Sequence, residues 1–294
     1  MTFISCKDVV KVYRMGDIEI PALRGLSLEV DKGEMISIMG PSGSGKTTLL
    51  NILGGLDRAN AGTIMVDDVS LGFTPASLLV NYRRRIVGHI FQNLNLIPTL
   101  TALENVELPM IFNETNRATR RQRAEELLRI VDLADRLAHK PDELSGGQQQ
   151  RVAIAAALAN DPPIILADEP TGELDSETSR IIVDYLLRIN QDYNKTIILV
   201  THNPIVASAS RRILRIEDGI IVGSYTPAQM GANLGTVNYV DQLKERILKL
   251  SRELGELDKK IQQGQISGEE YVNERIRLTA SIKGLEDEIH RHGG

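Results

Sequence analysis

The sequence predicts an α/β fold built on a parallel sheet, with a helical appendage at its C-terminal end. Three observations carry this. A strand-like run over 34–39 enters a glycine-rich loop at Gly40 and continues from Lys46 as the helical stretch TTLLNILGGL. Two short apolar runs, 164–167 and 196–200, flank an amphipathic helical stretch near 176–190. Buried strands alternating with helices are the pattern of a parallel sheet covered on both faces. After about residue 236 the composition changes and apolar residues fall at heptad spacing, as along a coiled-coil seam.

The remaining elements follow in order. The first thirty residues alternate short apolar runs with turns, as strands would, and 62–69 reads as another strand. From about Pro98 to Asn160 the pattern is helical. Its stretch ATRRQRAEELLRIVDLADRLAHK puts leucine and isoleucine on one face and charges on the other. RRILRIEDGIIVGS (211–224) reads as a hairpin with Asp218-Gly219 in its turn. GANLGT (231–236) reads as a linker. The division is a domain over 1–230, its helical part at about 95–160, and a helical hairpin over 236–294.

Bulk properties narrow the class. The 294 residues are 42% apolar and 25% charged, an ordinary globular composition with room for one large domain and an appendage. A net charge of −5 gives no electrostatic case for nucleic acid. The single cysteine, Cys6, excludes an intrachain disulfide framework and suits a reducing cytosol. It reads as a reactive thiol or as a plain strand residue. No apolar run approaches the ~18–20 residues of a membrane span, and the opening MTFISCKDVVKVY has no apolar core of a signal peptide. The expectation is a cytoplasmic protein whose membrane contact comes only through a partner.

Residues Gly40, Pro41, Ser42, Gly43, Ser44, Gly45, Lys46 and Thr47 fit the phosphate-loop pattern between a strand and a helix. Glycines there let backbone N–H groups converge on phosphate oxygens, and the helix N-terminus adds partial positive charge. Lys46 would reach the terminal phosphates and the Thr47 hydroxyl would bind Mg2+. Asp168 and Glu169 close the apolar run IILA. Adjacent carboxylates at a strand end suit two tasks: Asp168 for Mg2+ and Glu169 for polarising an attacking water. His202 follows the run TIILV, and parallel sheets place their sites at the carboxyl ends of strands.

A second glycine-rich element, LSGGQQQR (144–151), lies about a hundred residues after the phosphate loop and just before the strand ending in Asp168-Glu169. With ALRGLSLEVDKGE (22–34), MGPSGSGKTTLLNILGGLD (39–57), IFQNLNLIPTLTALENVELPM (90–110) and ILADEPTGELDS (165–176), it resembles the ATP-binding cassette (ABC) family. The similarity is to the macrolide-export and lipoprotein-release branch (MacB- and LolD-type, with FtsE close by). It runs from about residue 3 to 224. It implies a RecA-like parallel-sheet core, an antiparallel β-subdomain and a helical subdomain bearing the signature 144–151. It implies ATP and Mg2+ as ligands, Tyr13 stacked on adenine, Thr48 beside the phosphates, and Gln92 binding Mg2+ or the lytic water. His202 would contact the γ-phosphate. Ser145, Gly146 and Gly147 would complete the partner's ATP site in a homodimer, and Asp175 would link the two sites. Hydrolysis would drive a separate transmembrane permease, with 75–112, including Tyr82 and Arg83 to Arg85, as the coupling surface. The arginine triplet reads equally as a solvated helix face.

Two features depart from that branch. Ala156 stands where an arginine is usual, so a helix-surface contact would be lost. The chain also continues some sixty residues beyond the usual end. There Val240, Leu243, Ile247, Leu250, Leu254, Leu257 and Ile261 form a heptad seam, Gln262-Gln263-Gly264-Gln265 breaks it, and Ser267 to Glu270 starts a second helix with a capping box. Leu278, Ile282, Leu285 and Ile289 form that helix's apolar stripe. The hairpin packs on itself or docks a partner. An alternative function within the same chemistry is an FtsE-like regulatory ATPase that controls cell-wall enzymes. A DNA-repair ATPase would carry its coiled coil between phosphate loop and signature, an interval that is short here. A tandem ribosome-associated protein would carry two cassettes.

Overall fold

The computed structural model describes residues 2–16, 18–72, 74–113, 115–172, 174–230, 247–248, 250–258, 260–261 and 268–292. They fall into two compact units, Met1–Pro227 and Ala228–Gly294.

The first unit holds two sheets. A six-stranded sheet has the order β10(Ile220–Tyr225), β9(Arg212–Glu217), β3(Met35–Met39), β8(Thr196–Val200), β7(Ile164–Asp168), β6(Val87–Ile90). All its pairings are parallel except that of the edge strand β10. Alternate residues of the central strands serve opposite cores. Met35, Ile165, Ala167, Ile197 and Leu199 join one apolar cluster. Ile36, Ile38, Ile164, Leu166, Ile198 and Val200 join the other. Both faces of the sheet are therefore covered, which is why these strands read as unbroken apolar runs rather than alternating ones.

The first face carries α3(Ala102–Ile111), α4(Arg117–Ile130), α5(Gly146–Ala157) and α6(Ser176–Tyr193). The second carries α1(Lys46–Leu53), α2(Ala76–Arg85) and an antiparallel sheet of order β2(Ile18–Asp31), β1(Thr2–Met15), β4(Ala61–Val66), β5(Val69–Ser70). A short α7(Pro204–Ala207) follows β8.

Three readings of the sequence are corrected. The first thirty residues are strands, but as one long hairpin of two 14-residue strands and not as runs separated by turns. Their turn-like residues are absorbed as irregularities, Asp8 at φ 52° and Gly25 at φ 87°, with register shifts around Val9 and Lys11. The strand expected at 62–69 is itself a tight hairpin. Asp67 and Asp68 both adopt positive φ between β4 and β5, as a two-residue turn matching the strand twist requires. Finally, Tyr82 is buried, its hydroxyl donating to the Leu53 carbonyl at 2.5 Å. It belongs to the core beneath α1 and cannot serve a coupling surface.

The helical stretch is broken into separate helices, two of which start at capping residues. Thr101 and Glu104 cap α3 reciprocally, and Asn116 accepts from the Thr119 N–H at the start of α4. Ala156, on α5, packs partly buried against the first apolar cluster. Cys6 is buried on β1, and desolvation pushes its thiol up to about 12, which makes it a packing residue and not a nucleophile.

In the second unit the described residues between 247 and 261 are helical, as is Gly268–His292. The Tyr271 hydroxyl donates to Asp258 Oδ1 at 2.7 Å and the Arg275 guanidinium does so at 2.5 Å. Leu250 and Leu278, one from each heptad stripe, are buried. The two helices thus pack on each other. Val240, Leu243, the linker at 231–236, the break at 262–265 and Ser267 lie outside the described residues.

Candidate nucleotide-binding site

Strands β3, β8, β7 and β6 are consecutive neighbours in the sheet, and each delivers one candidate segment at its carboxyl end: the loop 40–47, His202, Asp168-Glu169 and Gln92 in that order. A parallel sheet gathers these because all four strands point the same way.

The loop turns through Gly43 (φ 81°) and Gly45 (φ 102°) into α1. A Cβ at Gly45 would collide with the Ala22 carbonyl, whereas none of the chain would obstruct one at Gly43. Gly45 is demanded by packing as well as by its backbone angle; Gly43 leaves open space on the exposed side of the loop. Pro41 and Ser42 are exposed and Ser44 is buried. The Lys46 ammonium donates to the Gly40 and Pro41 carbonyls, both at 2.8 Å, so its charge sits within the loop.

Asp168 ends β7 with its Oδ1 buried and without a hydrogen-bond partner. Desolvation raises its pKa, against the Thr47 hydroxyl, which hydrogen-bonds the carboxyl, and the nearby Lys46 charge; neighbouring Glu169 raises it further. A buried carboxylate with an unused oxygen, a hydroxyl bonded to it and an open phosphate loop beside it form a donor set that fits Mg2+. That ion takes few protein ligands and completes its shell with water and phosphate. No cluster of three or more His, Cys, Asp or Glu that could hold a metal occurs among the described residues.

Glu169 has φ 45°, left-handed backbone unusual for a glutamate. Its N–H donates to the Val200 carbonyl at 2.9 Å, which ties the bend to the end of β8. The side chain then lies beside His202, with Oε2 at 3.0 Å from Nδ1 and accepting the His202 N–H at 3.4 Å. Glu169, Thr171, Gly172, Thr201, His202 and Asn203 line one pocket of about 120 Å³. Gln92 is exposed, and its Nε2 lies about where it would touch a side chain placed at Gly172.

Tyr13 is near α1 and is held by Thr48 together with two residues the sequence did not single out, Asp57 and Lys11. Its hydroxyl donates to Asp57 Oδ2 at 2.7 Å, and the Thr48 side chain also hydrogen-bonds it. Lys11 lies 4.7 Å over its ring. No sequence signal marks Asp57 or Lys11, which meet across 46 positions.

The signature segment is placed apart from these groups. Ser145 caps α5, accepting from the Gln148 N–H at 3.3 Å while the Gln148 side chain accepts the Ser145 N–H at 2.9 Å. The S-x-x-Q spacing of a capping box is a local signal that the sequence reading did not use here. Ser145, Gly147, Gln148 and Arg151 line a groove of about 400 Å³ with Thr178, Tyr185 and Arg188 of α6, and not the pocket of Glu169 and His202. Asp175 caps α6: Oδ1 accepts the Glu177 and Thr178 N–H groups at 3.0 and 2.9 Å, and Oδ2 accepts the Thr178 hydroxyl at 2.7 Å.

Among the described residues no helix is long and apolar enough to cross a membrane. Residues 23–172 match the family described as ABC transporter. The chain is 50% identical over 220 residues to an uncharacterised ABC transporter ATP-binding protein of Methanocaldococcus jannaschii, covering 74% of this chain and 94% of that one. It is 47% identical over 223 residues to the macrolide export ATP-binding/permease protein MacB of Syntrophobacter fumaroxidans, 75% of this chain but only 31% of that longer protein. Among solved structures it resembles the same M. jannaschii cassette, dimeric and in a post-hydrolysis state bound to ADP and Pi. There the TM-score is 0.72 and the identity 47%, over 76% of this chain and 98% of that one. The branch read from the sequence runs accords with these relatives. The chain belongs to the ABC transporter family of ATP-binding proteins.

Proposed function

We propose that this chain is the ATP-hydrolysing subunit of a transporter, that two copies close around two MgATP, and that the cycle drives a separate transmembrane permease. The carrying observation is the split site. Lys46, Thr47, Asp168, Glu169 and His202 converge at adjacent strand ends, while the signature caps a different helix and lines a different groove. The dimeric cassette bound to ADP and Pi supports reading the missing half as a second copy.

Roles follow from chemistry. The loop amides and the N-terminus of α1 bind phosphate oxygens, and Lys46 exchanges its loop carbonyls for them. Thr47 and Asp168, with Gln92, hold Mg2+, which when bound neutralises charge on the terminal phosphates. Glu169 accepts a hydrogen bond from the attacking water and takes its proton as water adds to the γ-phosphorus and the bond to the ADP oxygen breaks, leaving ADP and phosphate. His202 donates to the γ-phosphate, and the fixed bend at Glu169 keeps its carboxylate beside that group. From the second copy, the Ser145 hydroxyl and the N–H groups of Gly146 and Gly147 meet the same phosphate; as first and second residues of α5 those N–H groups have no intrahelical acceptor. Asp175, at the cap of α6, lies along this seam.

The rate of ATP hydrolysis per chain tests the arrangement. If the site is shared, the specific rate rises with protein concentration until the dimer saturates. A specific rate constant over the dilution series overturns it. Recovery of one membrane protein with the chain from detergent extracts tests the permease.

A further inference from the structure

We propose that Asp57 and Lys11 are positioning residues for the purine: they fix the Tyr13 ring with its inner face closed and present its outer face, with Ile20, to the base. The proposal rests on the reading that Tyr13 meets adenine and deepens it.

The charged and hydroxyl groups of this cluster bond to one another. Asp57 follows α1, its N–H bonded to the Asn51 carbonyl at 3.1 Å. Its Oδ1 accepts the Lys11 ammonium at 2.6 Å and the Arg58 N–H at 2.7 Å, and its Oδ2 accepts the Tyr13 hydroxyl at 2.7 Å. Lys11 also donates to the Arg58 carbonyl at 2.8 Å. One carboxylate thus ties the end of the phosphate-loop helix to β1, and through the phenol it fixes the rotation of the Tyr13 ring. Thr48, on the first turn of α1, holds the same hydroxyl.

The two ring faces then differ. The Lys11 side chain is only 11% exposed, so its ammonium, 4.7 Å over the ring, marks the covered face. Tyr13 as a whole is 37% exposed, so the face away from Lys11 is the one left for a ligand. Ile20 is the direct cross-strand partner of Tyr13, so both side chains project from the same side of the hairpin. Ile20 is 44% exposed. An aromatic face beside a bare branched aliphatic suits a flat, weakly polar heterocycle, which stacks on the first and packs its edge on the second. A cation on the inner face also stabilises the ring's orientation.

The test compares ATP with inorganic tripolyphosphate, which shares the phosphates and lacks the base. Affinities of full-length Asp57→Asn, Lys11→Met, Ile20→Ser and Tyr13→Phe are measured by calorimetry with Mg2+. The proposal expects ATP binding about threefold to tenfold weaker, roughly 0.7–1.4 kcal/mol, with tripolyphosphate binding unchanged. It expects Asp57→Asn to add nothing once Tyr13→Phe has removed the shared hydrogen bond. If Asp57→Asn weakens both ligands equally, or neither, the positioning role is overturned. Tyr13→Phe keeps the ring and decides the matter where Asp57→Asn does not fold. Tyr13→Ala separates the underlying reading: if it leaves ATP affinity intact, Tyr13 does not meet the base at all.

Discussion

Glu169 Oε2 stands 3.0 Å from His202 Nδ1, joining the carboxyl ends of β7 and β8 through a glutamate held in left-handed backbone. Two neighbouring parallel strands bring the pair together, and the bend at Glu169 aims the carboxylate sideways at the next strand instead of onward along its own. Replacing the carboxylate by an amide keeps the shape and removes the base. Glu169→Gln is therefore expected to lower turnover by a factor of about 10²–10⁴ while MgATP still binds. The variant should run as a dimer on light scattering at saturating MgATP. A monomer under those conditions counts against the shared site.

Signature residue Gly147 is constrained by its own chain. A Cβ there would collide with the Thr178 methyl group of α6, whereas Gly146 has room beside Leu174. Gly147→Ala should push the start of α5 away from α6 and reduce hydrolysis, leaving single-chain ATP affinity intact because the loop 40–47 is untouched. Thr178→Ser removes the obstructing methyl and keeps the hydroxyl that bonds Asp175. The double variant should regain most of the lost rate; failure to regain it would mean the glycine is required by the partner's nucleotide alone.

How much of this was legible in the sequence depended on the range of the interaction. The loop 40–47 and the acid pair at the end of β7 are local patterns, and each lies at the strand end where its spacing placed it. Tyr82 misled because a tyrosine in a polar helix reads as exposed, yet its hydroxyl is satisfied by the Leu53 carbonyl in the core. Asp8 and Gly25 read as turns because composition does not separate a turn from a bulge within a long strand. The clamp of Asp57 and Lys11 on Tyr13 was invisible, since it depends on how β1 crosses the end of α1.

His89, on β6 three residues before Gln92, has its pKa lowered to about 4 by burial, against the Gly54 backbone, with the Arg83 charge lowering it further. Its ring stacks on Phe91 at 5.0 Å. The folded state keeps the imidazole neutral while the unfolded chain takes up a proton below about 6.5. The contribution to stability is thus fully present above that pH and is lost as pH falls from about 6.5 to 4, amounting to at most about 3 kcal/mol. Denaturant unfolding of the wild type should weaken across this window, and His89→Gln should flatten the slope. A parallel pH dependence in both proteins would remove His89 as its cause.

The two apolar clusters of the first unit, with the partly buried residues packed on them, come from residues 3–221 among those described. The second unit buries Leu250 and Leu278 and bonds Asp258 to Tyr271 and Arg275 within itself. Since the first unit's apolar clusters are built from its own residues, the cassette is expected to fold without the hairpin. A chain ending at Pro227 is expected to show the melting temperature and basal ATPase rate of the full chain when each is measured alone. Asp258→Ala in the full chain should loosen only the hairpin, seen as faster amide exchange over the Gly268–His292 helix with no change over β7 or β8. A drop of several degrees in the cassette's own transition on truncation would show instead that the hairpin is part of its core. Equal values would leave the hairpin available for a partner, and loss of permease-stimulated hydrolysis in the truncated chain would identify that partner as the permease.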